Sequence, residues 1–386
     1  MKILYVHHNP DTGGASNSLI ILLRELKLKG VDVHVATPRG PVVERFKAVT
    51  SNIHFIDIPS QIQAVYGVSF PILRSIRSTY GSNSNRQLKE IVGEVKPDLV
   101  HLNEVGLIGS AKCIKKLGIK VVLHVRVAVN PSHKIIYAFA VRYINKYVDH
   151  VICIDKSAAT NLKIQVKKTI VYNPLIAINK EYKPRGNKET LTILFLSNFL
   201  VHKGIYDVMK AAEELIEHQN INFLIAGSNV KSKEFYRSLV GRLVNFLKIY
   251  PNIEKDVHAL KEEKKLQNVR FLGQLKDTKK YLKMTDVLLL PIHMNQPSRS
   301  IFEAGSFGIP SIISLKTKIE DVVEDGVNGY IVREKAPSEI AKVILKLNEN
   351  RDLLEKMGKI SFNKFNDLNS PVRSATDVIN VYKSLI

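Results

Sequence analysis

Glu303 is the side chain of this sequence with the clearest chemical use. It sits in residues 295–314, NQPSRSIFEAGSFGIPSIIS, whose pattern predicts a short helix over Ser298–Phe307, a stop at Gly308-Ile309-Pro310 and a buried strand at Ser311–Ser314. A helix start offers unpaired N–H groups and the positive end of a dipole, which suit a phosphate. A carboxylate in its first turn is placed to accept both hydroxyls of a ribose, so the segment could grip a nucleotide diphosphate. The same residues have a structural reading. Ser300-Ile301-Phe302-Glu303 fits a capping box, in which the glutamate only satisfies the helix start.

Other segments carry comparable chemistry. Ser197–Gly204, SNFLVHKG, follows an apolar run and leads into a helical pattern over Ile205–Glu217. Lys203 therefore stands where a strand ends and a helix begins, a position from which a cation can neutralise a phosphate. Gly13 and Gly14, in Asp11–Ser16, follow the first strand and let backbone approach a ligand closely, with Ser16 available to cap the next helix. Their spacing is not that of the dinucleotide fingerprint. His101 and His124 close two strands, LVHL and VVLHV, and strand ends line the crevice of open α/β sheets. No H-E-x-x-H, Cys/His cluster, D-x-D pair, G-x-S-x-G elbow or P-loop occurs. That speaks against a metal held by protein ligands.

The elements that must position these residues follow a regular rhythm. Apolar runs predict strands at Ile3–Val6, Val31–Ala36, Ile53–Ile58, Leu99–Leu102, Val121–Val125 and Val151–Ile154. A second series follows at Leu191–Leu196, Ile221–Ala226, Val269–Leu272, Val287–Leu290, Ser311–Ile313 and Tyr330–Val332. Helical patterns separate them, such as Ser16–Lys29 with Leu19, Leu22, Leu23 and Leu26 on one stripe. Continuous apolar strands alternating with helices predict parallel sheets covered on both faces. Asn173–Thr190, with Pro174, Pro184 and Gly186, reads as the linker between the two series, and Lys255–Lys265 as an exposed helix.

The 386 residues carry 57 Lys plus Arg against 36 Asp plus Glu, a net +21. Residues 1–180 hold +14 of it and residues 181–386 the remaining +7. Such a surface suits acidic partners or anionic lipid, although solvated helix faces account for it equally. No nucleic-acid-binding signature accompanies the charge. Met1–His8, MKILYVHH, enters a strand at once, which predicts no signal peptide, and no apolar run is long enough to span a bilayer. Cys113 and Cys153 lie in apolar surroundings and are expected to be core residues of a cytoplasmic protein.

Taken in order, these segments resemble the retaining glycosyltransferases of family 4, which have the GT-B fold of two Rossmann-like domains facing a central cleft. Gly13-Gly14 is similar to the family's first loop, Pro97–Gly106 (PDLVHLNEVG) to its mid-domain strand and Asn173-Pro174 to its interdomain turn. Phe195–Ile205 (FLSNFLVHKGI) looks like the Gly-Arg-Leu…Lys-Gly motif. Asn268–Leu275, Phe302–Ile312 and Glu324–Val332 complete the series. The resemblance implies that Glu303 binds the ribose hydroxyls and Lys203 the diphosphate. It implies that N–H groups around Ser298, Arg299, Ser300 and Ile301 face the phosphates, with Gly14 approaching from the other domain. His124 would contact the transferred sugar, and Gly273 and Gln274 would lie near the base. Two positions depart from the family pattern. The first of two customary glutamates is Asn295, and an arginine five residues before Lys203 is Asn198. Asn295 can still reach a sugar hydroxyl, and Arg299 is a candidate to supply the charge missing at Asn198.

The resemblance predicts an acceptor-binding domain over 1–175, a nucleotide-sugar-binding domain over 176–365, and a C-terminal helix within 366–386 that returns to the first domain. It implies a metal-independent, cofactor-free, retaining enzyme that moves a sugar from a nucleotide-diphosphate donor to a glycan or lipid-linked acceptor in bacterial surface polysaccharide synthesis. Its expected place is the cytoplasm, at the inner face of the membrane where anionic lipid is the partner. Two rivals share the fold: a sugar-nucleotide epimerase, and a non-catalytic protein that binds nucleotide or glycan.

Overall fold

The computed structural model describes residues 1–59, 83–127, 129, 134–176, 181–184, 186, 188–294, 297–314 and 321–386. The chain divides into two compact units, one of Met1–Ile176 with Leu368–Ile386, the other of Ala177–Asp367.

Among the described residues, unit 1 is built on strands β1 (Lys2–Val6), β2 (Asp32–Thr37), β3 (Ile53–Phe55), β4 (Leu99–Leu102), β5 (Lys120–Val125), β6 (His150–Cys153) and β7 (Lys168–Ile170). They pair in parallel, in the order β3-β2-β1-β4-β5-β6-β7. Successive side chains of a strand point to opposite faces, and here both faces are apolar. Ile3 and Tyr5 enter one core while Leu4 and Val6 enter the other. The first core is closed by three helices, of which the short Val42–Lys47 contributes Val42, Val43 and Phe46. Gly14–Leu28 contributes Leu19, Leu22, Leu23 and Leu26, and Pro371–Lys383 contributes Ala375, Val378, Val381 and Tyr382.

Unit 2 repeats the plan with β8 (Leu191–Leu196), β9 (Ile221–Ala226), β10 (Val269–Gly273), β11 (Val287–Leu290), β12 (Ser311–Ser314) and β13 (Gly329–Val332). These are parallel in the order β10-β9-β8-β11-β12-β13. In each sheet the chain starts near the middle and winds outward in both directions. The reversal falls between β1 and β4 in unit 1 and between β8 and β11 in unit 2. Crevices at the carboxyl ends of strands beside such a reversal are where open α/β sheets take ligands.

Every strand predicted from the sequence is present, because a strand buried on both faces must be apolar along its whole length. The one that differs most, β3, stops at Phe55 rather than Ile58. β7 was not predicted. It is three residues long, Lys-Thr-Ile, at the edge of the sheet, and has no apolar run to betray it. The helix predicted to begin at Ser16 begins at Gly14, with Gly13 at the N-cap. The hydroxyl of Ser16 does not cap it and instead donates to the Asp11 carbonyl at 3.1 Å. Two other predicted helices, Ile205–Glu217 and Lys255–Lys265, run over Ile205–Glu214 and Ile253–Glu263. Part of the predicted linker, 177–180 with 185 and 187, lies outside the described residues.

Two glycines let the strand ends of unit 2 come close. Gly204 has φ +76°, and a Cβ there would stand 2.0 Å from the Pro291 carbonyl oxygen. Gly227 has φ +144°, and a Cβ would stand 1.9 Å from the Ser197 carbonyl oxygen. Neither conformation nor space admits a larger residue.

Candidate functional site

At the carboxyl ends of β8 and β9 in unit 2 opens a pocket of ≈ 370 Å³. It is lined by Asn198, Lys203, Gln274, Ser298, Arg299, Ser300 and Glu303, together with Ser197, Gly227 and Thr278. Three separate loops and one helix therefore converge on one cavity at the reversal point of the sheet.

Lys203 closes a single 3-10 turn, Val201–Lys203, ahead of the helix Ile205–Glu214. It is half-buried, burial lowers its proton affinity, and it forms no ion pair with a carboxylate among the described residues. A cation held out of water without a counter-charge is costly. Its cost is recovered when an anion enters the pocket. Asn198 is exposed on the same loop and adds no charge.

The helix over this pocket is Arg299–Ser306, with Ser298 at its N-cap in extended conformation and no side-chain cap. Glu303 stands in the second turn, not the first. The capping-box reading fails on geometry: the Ser300 hydroxyl donates to the Leu196 carbonyl at 2.7 Å, tying the helix to β8. Glu303 instead accepts from Arg299 Nε at 2.6 Å, one helical turn away, with each side chain about one quarter exposed (25% and 26%). Arg299 is thus engaged with Glu303 along the helix face, and it lines the same pocket as Asn198. One carboxylate carries two oxygens and several acceptor sites, so the pair leaves Glu303 able to bind further donors. The Ile301 N–H donates to the Ser298 carbonyl at 3.0 Å and its side chain is fully buried, so it serves the helix turn and the core. Gly273 ends β10 at φ +65°, and Gln274 next to it accepts from Ser228 Oγ at 2.8 Å. Asn295 lies outside the described residues.

Gly13, Gly14 and His124 belong to unit 1, where the strand ends at the reversal carry a buried polar network. Asn103, just past β4, lies 3.1 Å from His7 Nδ1, just past β1, and accepts from Arg126 Nε, just past β5, at 2.8 Å. His7 Nε2 is 3.1 Å from Ser16 Oγ. A second chain runs beneath it. Tyr5 bonds Tyr382 through their hydroxyls, Tyr382 lies 2.7 Å from His101 Nδ1, and His101 Nε2 lies 3.2 Å from His124 Nδ1. His124 is 1% exposed, and its Nε2 has no partner among the described residues. Burial first, and the Arg126 charge second, hold His101 and His124 well below the usual imidazole range, so both are neutral near pH 7. Burial likewise pushes the Glu104 carboxyl up to about 7.

Sequence reading missed Ser197, Gly227 and Thr278 in the unit 2 pocket and His7, Asn103 and Arg126 in unit 1. All but Thr278 lie at or just beyond the carboxyl end of a strand, and that position alone could have marked them.

The Glycosyl transferases group 1 model matches residues 178–364, and the Glycosyltransferase Family 4 model matches residues 12–175. Over 373 residues, 91% of this chain and 88% of the relative, the chain is 21% identical to the N-acetyl-alpha-D-glucosaminyl L-malate synthase of Bacillus anthracis. A shorter match of 186 residues, 46% of this chain, is 26% identical to an uncharacterized 41.2 kDa protein in the cps region of Klebsiella pneumoniae. It spans about half (50%) of that relative's length. Among solved structures, Anabaena HepE in complex with UDP-glucose is similar over 100% of both chains, with a TM-score of 0.76 at 16% identity. The shared fold is GT-B.

Proposed function

This chain belongs to the glycosyl transferases group 1 family, and from that premise we propose that it moves a sugar from a nucleotide-diphosphate donor to a glycan or lipid-linked acceptor, with retention at the anomeric carbon. The observation that carries the reading is the half-buried Lys203, without an ion pair among the described residues, in one pocket with Glu303 and the start of the helix Arg299–Ser306. As the bond between the sugar C1 and the diphosphate oxygen breaks, negative charge gathers on the departing diphosphate. A preorganised cation and a helix N-terminus stabilise that charge without a metal held by the protein. Glu303 accepts the ribose hydroxyls, Gln274 lies by the base, and Ser298 and Ser300 lie by the phosphates. The acceptor hydroxyl bonds to C1 on the face from which the diphosphate departs, and its proton passes to the departing diphosphate oxygen, so the anomeric configuration is retained. The family resemblance assigns His124 and Asn295 to the transferred sugar. The UDP-glucose bound by HepE supports a donor of this class. The place of work that fits a lipid-linked acceptor is the cytoplasmic face of a membrane, during surface polysaccharide assembly.

Thermal shift against a panel of nucleotide sugars identifies the donor, since a ligand that binds only the native state raises stability by mass action. With that donor, Lys203→Ala lowers kcat about 10²–10³-fold, the cost of about 2.7–4 kcal/mol for one lost contact to developing charge. EDTA leaves the wild-type rate unchanged. A near-wild-type kcat in Lys203→Ala removes the residue from the mechanism. Donor binding without transfer or slow hydrolysis makes the protein a binder, and an altered free sugar nucleotide makes it an epimerase.

A further inference from the structure

Between β9 and β10 the chain leaves the sheet and forms two short helices, Lys233–Arg237 and Leu239–Phe246. The second is turned inside out. Its inward residue is Gly241, where a Cβ would stand 1.7 Å from the Phe235 carbonyl oxygen, so the two helices are pressed backbone to backbone. Its apolar stripe points to water: Leu239 is 83% exposed, Leu243 59% and Phe246 81%, with Val240 and Leu247 beside them and Ile249 just beyond. Residues 239, 243, 246 and 247 lie within about one third of the helix circumference at 100° per residue. In a soluble helix that stripe faces a core. Here a single short element exposes it, and contiguous exposed apolar surface of this kind marks a site of interaction.

The surroundings of the stripe say what covers it. Residues 231–250 carry Lys231, Lys233, Arg237, Arg242 and Lys248 against one carboxylate, Glu234. Lys231 lies over the rings of Phe235 and Tyr250, at 5.5 and 5.1 Å from their centroids. Adjoining the helix pair is a second pocket of ≈ 370 Å³ lined by Lys233, Arg237, Lys255 and His258, with Glu254 as its only carboxylate among the lining residues. An apolar stripe flanked by basic side chains is the design of a helix that lies in the interface of a bilayer, with apolar groups at the acyl boundary and cations among anionic headgroups. A second copy of the chain would bring like charges together around the same stripe. We propose that residues 231–250 are a docking surface for an anionic lipid bilayer, with the Leu239–Phe246 helix lying in its surface and the Lys233/Arg237/Lys255 pocket receiving a lipid phosphate. The surface shares no lining residue with the candidate donor pocket, and vesicle binding is read without the reaction.

The test is co-sedimentation of the full chain with phosphatidylcholine vesicles that contain or lack phosphatidylglycerol. The protein is expected to bind the anionic vesicles, to release as salt rises, and to bind neutral vesicles weakly. Leu243→Ser with Phe246→Ser is expected to lower binding about 10–100-fold, given the apolar area that each exposed side chain would bury. Arg237→Glu with Arg242→Glu is expected to abolish the preference for anionic vesicles. Unchanged melting temperatures in both variants, which alter exposed positions, confirm that the fold is intact. No binding by the wild type overturns the proposal. Full binding by the Ser variant places the contact elsewhere, such as the basic face of unit 1, and overturns it too. A wild-type dimer in light scattering that the Ser variant makes monomeric assigns the stripe to self-association and overturns it as well.

Discussion

Glu303 shares its charge with Arg299 before any ligand arrives, and this fixes what its loss must do. A partly exposed i,i+4 pair contributes about 0.3–0.5 kcal/mol to the helix. Hydrogen bonds from ribose hydroxyls to a charged acceptor are worth about 1.5–3 kcal/mol, against about 0.5–1.5 to a neutral one. Glu303→Gln is therefore expected to weaken nucleotide-diphosphate binding about 5–30-fold while ligand-free melting moves little. Calorimetric titration and unfolding of one preparation check both, and unchanged affinity with a lowered melting point makes Glu303 a structural residue. Lys203 could be named from the sequence because it sits where a strand gives way to a helix, and Glu303 because its short helix is closed by Gly308-Ile309-Pro310 ahead of a buried strand. Their neighbours' roles could not. Ser300 has the composition of a capping box, yet the Leu196 carbonyl, distant in sequence, takes its hydroxyl. Arg126, Asn103 and His7 meet only because β5, β4 and β1 lie side by side, a fact that no local pattern contains.

The helix Arg299–Ser306 holds its place through one small residue. A Cβ on Gly305 would stand 1.9 Å from the ring of Phe365, which is 1% exposed and has nowhere to go. Overpacking of this kind costs about 1–3 kcal/mol. Gly305→Ala is expected to lower the melting temperature and, by moving the helix that carries Ser298, Ser300 and Glu303, to weaken donor binding as well. Titration of the folded variant below its melting point separates the two effects, and unchanged affinity would show that the helix shifts without reaching the pocket. At this scale the sequence was legible wherever burial dictated composition, as in VLLL of β11. It was misleading where an apolar stripe has no core to face. Leu239–Phe246 has ordinary helical spacing, and only its exposure in the fold reveals which way it points. β7 failed for the opposite reason, an edge strand too short and too polar to leave a pattern.

Over the whole molecule, the chain returns to its first unit after completing the second. Residues 368–386 pack into unit 1, where Tyr382 is fully buried with its hydroxyl bonded to Tyr5 and His101. Val378, Val381 and Tyr382 each bury side chains worth about 1.5–3 kcal/mol. Their sum is comparable with the net stability of a domain, about 5–15 kcal/mol. Deleting residues 370–386 is therefore expected to abolish one calorimetric unfolding transition and leave another, and two surviving transitions would show that the helix is dispensable. The return path also sets a clock on synthesis. Ala177–Asp367 must all be translated before the closing helix exists. At about 5–20 residues per second that takes roughly 10–40 s. Through that interval the nascent first unit displays the apolar face later covered by Ala375, Val378 and Val381. A cell must shelter it with a holdase chaperone or accept losses to aggregation, while the second unit, continuous in the chain, closes as it emerges.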